Sequence, residues 1–213
     1  TNAADYQSYL FLPTTPVPTI PSDLSATNFR YSSLVDPAVP ATAQELFGVR
    51  GPSIDKAWQV TTGRPDVVIA VLDSGIKWNE VGAMTDLAAK VHLNAAELPL
   101  PEGTTSGYDR NQDGVFNVRD YLADNTHAQD SRVSDQNGNG IIDPQDLIKI
   151  FSDGTDADAN GYVDDIAGWD FHENDNDPFD DVSYGHGTGE AEDSSAEANN
   201  GGDVGAAPNA MFI

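Results

Sequence analysis

The segment Asp66-Val67-Val68-Ile69-Ala70-Val71-Leu72-Asp73-Ser74-Gly75 constrains the fold more than any other part of the chain. Its apolar run is short, continuous and rich in β-branched residues. Such a run makes a strand covered on both faces, as in a parallel sheet with helices on either side, rather than a half-exposed strand with alternating polarity. The expected class is therefore α/β, with the strand from Val67 to Leu72 central in the sheet. The run ends at once in Asp-Ser-Gly. In open α/β sheets ligands bind outside the carboxyl ends of the strands, so Asp73 stands where chemistry is usually done.

Composition narrows the function. The chain has 213 residues, no cysteine, 10 basic and 35 acidic side chains, and a formal charge of −25. Without Cys there is no disulfide framework, zinc ribbon or catalytic thiol. So acidic a surface repels phosphate, which argues against nucleic acid and anionic membrane as partners. No apolar run approaches the ~18 residues of a membrane helix. With three Trp, seven Tyr and eight Phe there is enough to bury one core. Residues 1–50 read as an extended N-terminal extension, because Pro13, Pro16, Pro18, Pro21 and Pro40 disfavour long helices and central strands. Residues 51–213 read as the folded domain, opening with a short helix over Ser53–Val60 capped by Ser53.

Asp, Asn and Gly take over in the middle of the chain. Two segments follow EF-hand spacing, with oxygen side chains at loop positions 1, 3, 5, 9 and 12, Gly at 6, and the position 7 carbonyl available. The first offers Asp109, Asn111, Asp113, Val115, Asn117 and Asp120, and the second Asp135, Asn137, Asn139, Ile141, Asp143 and Asp146. A third offers Asp156, Asp158, Asn160 and Tyr162; its position 12 is Ala167, so Asp165 is the candidate closing ligand. Hard oxygens in this number suit Ca²⁺, with two to three ions expected, and a calcium-rich surrounding points to secretion. The paired loops, within residues 104–155, read as an insertion. Without cation, their clustered carboxylates repel one another, and the region is expected to be poorly ordered.

Of the four histidines, His92, His127 and His172 sit in ordinary contexts. His186 lies in Tyr184-Gly185-His186-Gly187-Thr188-Gly189, where small neighbours permit close approach of a substrate. Together with Asp73-Ser74-Gly75 this motif resembles the subtilisin-like serine peptidases. AWQVTTGRPDVVIAVLDSGI is similar to that family's catalytic-Asp strand, DADANGYVDDIAGWDF and GHGT to the approach to its catalytic His, and GAAPNAMFI to the segment that enters its next core strand. The resemblance runs from about Gly51 to the end, outside the paired loops. It implies a three-layer subtilisin-like parallel sheet, of which this chain holds the N-terminal portion. It also implies a calcium-dependent serine endopeptidase acting on proteins or peptides, with His186 as general base and Asp73 orienting it.

The sequence departs from the family after the His, where Gly189-Glu190-Ala191-Glu192-Asp193 replaces apolar residues. No Gly-Thr-Ser-Met-Ala-type nucleophile segment occurs, and Ser194 and Ser195 lack a glycine elbow. The expected partner is therefore the Ser-bearing remainder of the same peptidase, on this or another chain. A second reading stays open: the paired loops resemble those of dockerin modules, and the chain would then be a catalytically inactive, calcium-dependent protein-binding module. The two differ in whether Tyr121, Leu122, Leu147, Ile148 and Phe151 pack together or stay exposed.

Overall fold

The computed structural model describes residues 54–213 apart from Gln59. The N-terminal extension over 1–50 and the Ser53 cap lie outside the described residues. Helix α1, Ile54–Ala57, occupies part of the expected first helix. Trp58 follows it, buried, with Nε1–H donating to the Ala206 carbonyl at 2.9 Å.

Strand β1, Val68–Ile69, pairs in parallel with β2, Met211–Phe212, in the register Val68 to Met211 and Ile69 to Phe212. The ladder continues as Val71 N–H donates to the Ile213 carbonyl at 2.8 Å. On its other side Phe212 bridges in parallel to Val91, and its carbonyl accepts from His92 N–H at 2.7 Å. The apolar Met-Phe of β2 is thus held on both edges, and Phe212 is 1% exposed. β1 is not. Val68 is 39% exposed and Leu72 87%, against the expectation of a strand covered on both faces. The physical reason is that, among the described residues, β1 pairs on one edge only, with β2. The sheet of the described residues has two strands.

Helix α2, Val81–Leu87, packs against helix α4, His186–Ser195, through Met84, Leu87 and Ala191. Trp78 lies beneath them without solvent exposure. The core runs from there into the inserted segment. Val118, Tyr121, Leu147 and Ile148 belong to the same buried cluster as Trp78, Leu87 and Phe212. Tyr108, Phe116, Tyr121 and Phe151 form an aromatic chain with successive ring centroids 4.8, 6.3 and 5.7 Å apart. Residues 104–155 are therefore packed into the main core, which is how so few apolar side chains suffice to order so polar a stretch.

Each of the two paired loops ends in a capped helical turn. After the first, Val118–Tyr121 forms a 3-10 turn with Asn117 as N-cap; after the second, α3 spans Pro144–Phe151 with Asp143 as N-cap and Pro at its start. Both ends are capping boxes: Asp120 and Asp146 reach back to the backbone N–H of their own caps. No helix of the described residues is long and apolar enough to cross a membrane.

The acidic stretch of α4 has a measurable consequence. Glu192 is half-buried among Asp203, Asp86, Asp193 and Glu80, and burial first, then those charges, pushes its carboxyl up to about 7. A carboxyl raised on folding adds stability at pH below its unfolded value, and that stability is lost as pH rises through the folded value. Glu192→Gln is therefore expected to melt with the wild type at pH 4.5 and above it at pH 8. Allowing for screening of a half-exposed group, the gain at pH 8 is about 1 kcal/mol, or about 2–4 °C. Calorimetry at the two pH values checks this; an equal shift at both would remove the carboxylate explanation.

Candidate functional site

Asp73 leaves the carboxyl end of the β1 ladder, and His186 is the first residue of α4. Three hydrogen bonds tie these elements together. Gly187 N–H donates to Ser74 Oγ at 3.0 Å, Ser74 Oγ–H donates to Asp180 Oδ2 at 2.8 Å, and Lys77 N–H donates to Thr188 Oγ1 at 2.8 Å. Asp180 and Thr188 are buried, so the ties are shielded from water. The close approach requires Gly187, because a Cβ there would collide with the Gly75 carbonyl oxygen.

This brings the two residues singled out by motif into direct contact. His186 Nδ1 lies 2.8 Å from both carboxylate oxygens of Asp73. Asp73 Oδ1 also accepts from Ser74 N–H at 2.8 Å. That amide, and then the imidazole, hold the Asp73 carboxyl below its usual range, while Asp73 pushes His186 up. A carboxylate at Nδ1 selects the tautomer with its proton there, leaving the Nε2 lone pair outward. The ring is exposed, with Tyr184 stacked at 6.0 Å between centroids. Such an imidazole can take a proton from a hydroxyl placed at Nε2. Ser194 and Ser195 do not supply it: they sit at the far end of α4, where Ser194 Oγ bonds to the Ala191 carbonyl and to Ser195 Oγ.

The other three histidines lie apart from this pair. His127 bonds to Asp124 and Thr126, and burial lowers His92 below its usual value.

The three acidic loops share one hydrogen-bond plan. The position 1 carboxylates of Asp109, Asp135 and Asp156 accept from the position 6 amides of Gly114, Gly140 and Gly161 at 3.0, 2.9 and 2.9 Å. The position 3 oxygens of Asn111, Asn137 and Asp158 accept from the position 5 amides of Asp113, Asn139 and Asn160. Those three position 5 side chains accept in turn from the amides of Val115, Ile141 and Tyr162. Asn117 and Asp143 cap the turns that follow, and burial pushes Asp143 up to about 6.

Position 12 shows what a sequence scan misses. Asp120 Oδ1 accepts from the amides of loop positions 2 and 3, Arg110 and Asn111, and Asp146 Oδ1 from Gln136 and Asn137. In the third loop the same two amides, Ala157 and Asp158, are met by Glu97 Oε1 at 2.8 and 3.2 Å. Glu97 thus stands at the position 12 station from a distant part of the chain. Asp165 lies beside this cluster: its oxygens accept from the side-chain amides of Asn94 and Asn160, which both donate to Asp158 Oδ2 as well. The ligand oxygens of Glu97, Asp156 and Asp158 lie within 4.8 Å of one another, with Glu97 buried and Asp158 exposed, and this group could hold a metal ion. No signal in the surrounding Ala-Ala-Glu-Leu-Pro marked Glu97; the absent position 12 acid was the one hint that a remote residue was needed.

No protein-family model matches this chain, and no curated protein matches it.

Proposed function

We propose that this chain carries the Asp and His of a calcium-dependent serine endopeptidase of the subtilisin type. The observation that carries this reading is the contact of Asp73 with His186 Nδ1 at 2.8 Å, between the carboxyl end of a parallel strand and the start of a helix. The sequence motifs around both residues support it independently. The substrate would be a protein or peptide. A serine hydroxyl from the remainder of the peptidase would meet Nε2. His186 would accept its proton on attack and return it to the leaving amine, while Asp73 keeps the Nδ1 proton and stabilises the imidazolium. A three-layer sheet would supply the partner that the open edge of β1 lacks, and a secreted location would supply the calcium.

The donor sets of the loops suit Ca²⁺: carboxylate and amide oxygens, with a backbone carbonyl at position 7. Asp109, Asn111, Asp113, Asn117 and Asp120 would serve the first ion and Asp135, Asn137, Asn139, Asp143 and Asp146 the second. Asp156, Asp158 and Asn160 with Glu97 would serve a third. The bound ion would neutralise clustered carboxylates and lock the loops to the core. Against a dockerin-like role stands the burial of Tyr121, Leu147 and Ile148 in the main core, although Leu122 and Phe151 are only half-buried.

The test is intact-mass analysis of the native protein after fluorophosphonate treatment. A labelled serine on this or an accompanying polypeptide, with labelling lost in His186→Ala, supports the reading. Complete protein that stays unlabelled overturns it.

A further inference from the structure

Residues four apart on a helix lie on one face, so the side chain at Glu190 shares the face of His186 on α4. Glu190 Oε1 lies 3.7 Å from His186 Nε2. That is beyond a hydrogen bond but within reach of an ion pair. Nε2 is the nitrogen that the proposed chemistry uses. The resembled family places an apolar residue here, and this chain places a carboxylate.

The surroundings reinforce that charge. His186 and Glu190 line a groove of about 700 Å³ together with Lys77, Glu80, Tyr184 and Glu192. Facing the imidazole are Asp73 from the segment after β1, Asp180 from the segment before α4, Glu190 from its own helix and the Tyr184 ring. Lys77, the one Lys or Arg lining the groove among the described residues, lies with its ammonium 4.0 Å from Glu80. Carboxylates therefore approach both ring nitrogens. Each favours the imidazolium over the neutral ring.

We propose that Glu190 is a positioning residue for the general base: its carboxylate stands as an ion-pair partner on the Nε2 side of the His186 imidazolium while Asp73 holds the Nδ1–H. The catalytic consequence rests on the peptidase reading. His186 accepts a serine proton only after its own Nε2 proton has gone to solvent, and Glu190 delays that departure to higher pH. Once the ring is neutral, Nε2 takes the serine proton as the oxygen–carbon bond forms, then passes it to the leaving amine as the scissile bond breaks. Glu190 sets the acidic limb of the activity profile and leaves the alkaline plateau alone.

The experiment is a titration of the imidazole resonances by NMR in the full chain, comparing wild type, Glu190→Gln and Asp73→Asn. Glu190→Gln is expected to lower the midpoint of His186 and leave those of His92, His127 and His172 in place. The difference should shrink near 1 M salt, where charges are screened beyond ~3 Å. In the Ser-bearing enzyme the same substitution should raise kcat/KM on the acid side by up to about fivefold. A His186 midpoint unchanged in Glu190→Gln, with Asp73→Asn moving it, overturns the role of Glu190 and leaves the peptidase reading intact. A midpoint that moves in a complete protein that fluorophosphonate does not label overturns the peptidase reading and leaves the pairing of Glu190 with His186.

Discussion

On the peptidase reading proposed above, Asp73→Asn is expected to lower kcat of the Ser-bearing enzyme by about 10⁴-fold, the loss seen when the orienting carboxylate of a triad becomes an amide. The geometry gives the reason. Asp73 presents two acceptor oxygens to His186 Nδ1 and takes the Ser74 amide on Oδ1. An Asn can satisfy the Ser74 amide with its carbonyl, which turns its NH₂ toward Nδ1. A donor there forces the ring proton to Nε2, where the lone pair is needed. Asp73 is exposed, so stability should hardly change. The measurements are kcat/KM against pH and thermal melting of the same variant. A loss under tenfold, with the melting point unchanged, would mean that Asp73 does not orient the base.

Asp146→Ala is expected to destabilise the fold by about 3–5 kcal/mol, because a buried acceptor that serves several donors would be lost. Asp146 is fully buried. Its Oδ1 accepts from the amides of Gln136 and Asn137 at 2.5 and 3.1 Å, and its Oδ2 from the amide of Asp143 at 2.9 Å. One substitution thus unties both ends of the second loop and removes the capping box of α3. At 2–4 °C per kcal/mol the melting point falls by about 10 °C. If the loops bind calcium as proposed, the variant should also lose part of the gain from it, which for each site is about 2.7 kcal/mol at a hundredfold excess over Kd. Chelation of the wild type should likewise lower far-UV CD and protease resistance in the inserted segment. Calorimetry with and without calcium reads the first effect and its coupling to the second. A fall of less than about 2 °C would show that Asp146 does not pin the loop.

The parts of the site that rest on short spacing were legible. Asp73 ends a strand-type run and His186 opens a Gly-His-Gly-Thr turn, and the structure brings them to 2.8 Å. The loop positions could be counted because oxygens two residues apart meet the same turn of backbone, and the three loops share that turn. What escaped the reading lies between segments. Ser74, Asp180 and Thr188 lock His186 in place through contacts across more than a hundred residues of chain. Glu97 serves a loop 60 residues away.

The strand shows the limit from the other side. The apolar run over Val67–Leu72 carries the composition of a covered strand, yet Leu72 is 87% exposed. Composition records the environment a segment is suited to, and the neighbours present decide whether it finds that environment. The sequence by itself determined the turns, caps and ligand spacings, since these depend on hydrogen bonds that close within a dozen residues. Tertiary packing alone decided which acid stands at position 12 of the third loop and that the polar insertion shares the main core. Those depend on side chains and backbone held by contacts made elsewhere in the chain, and no local pattern encodes them.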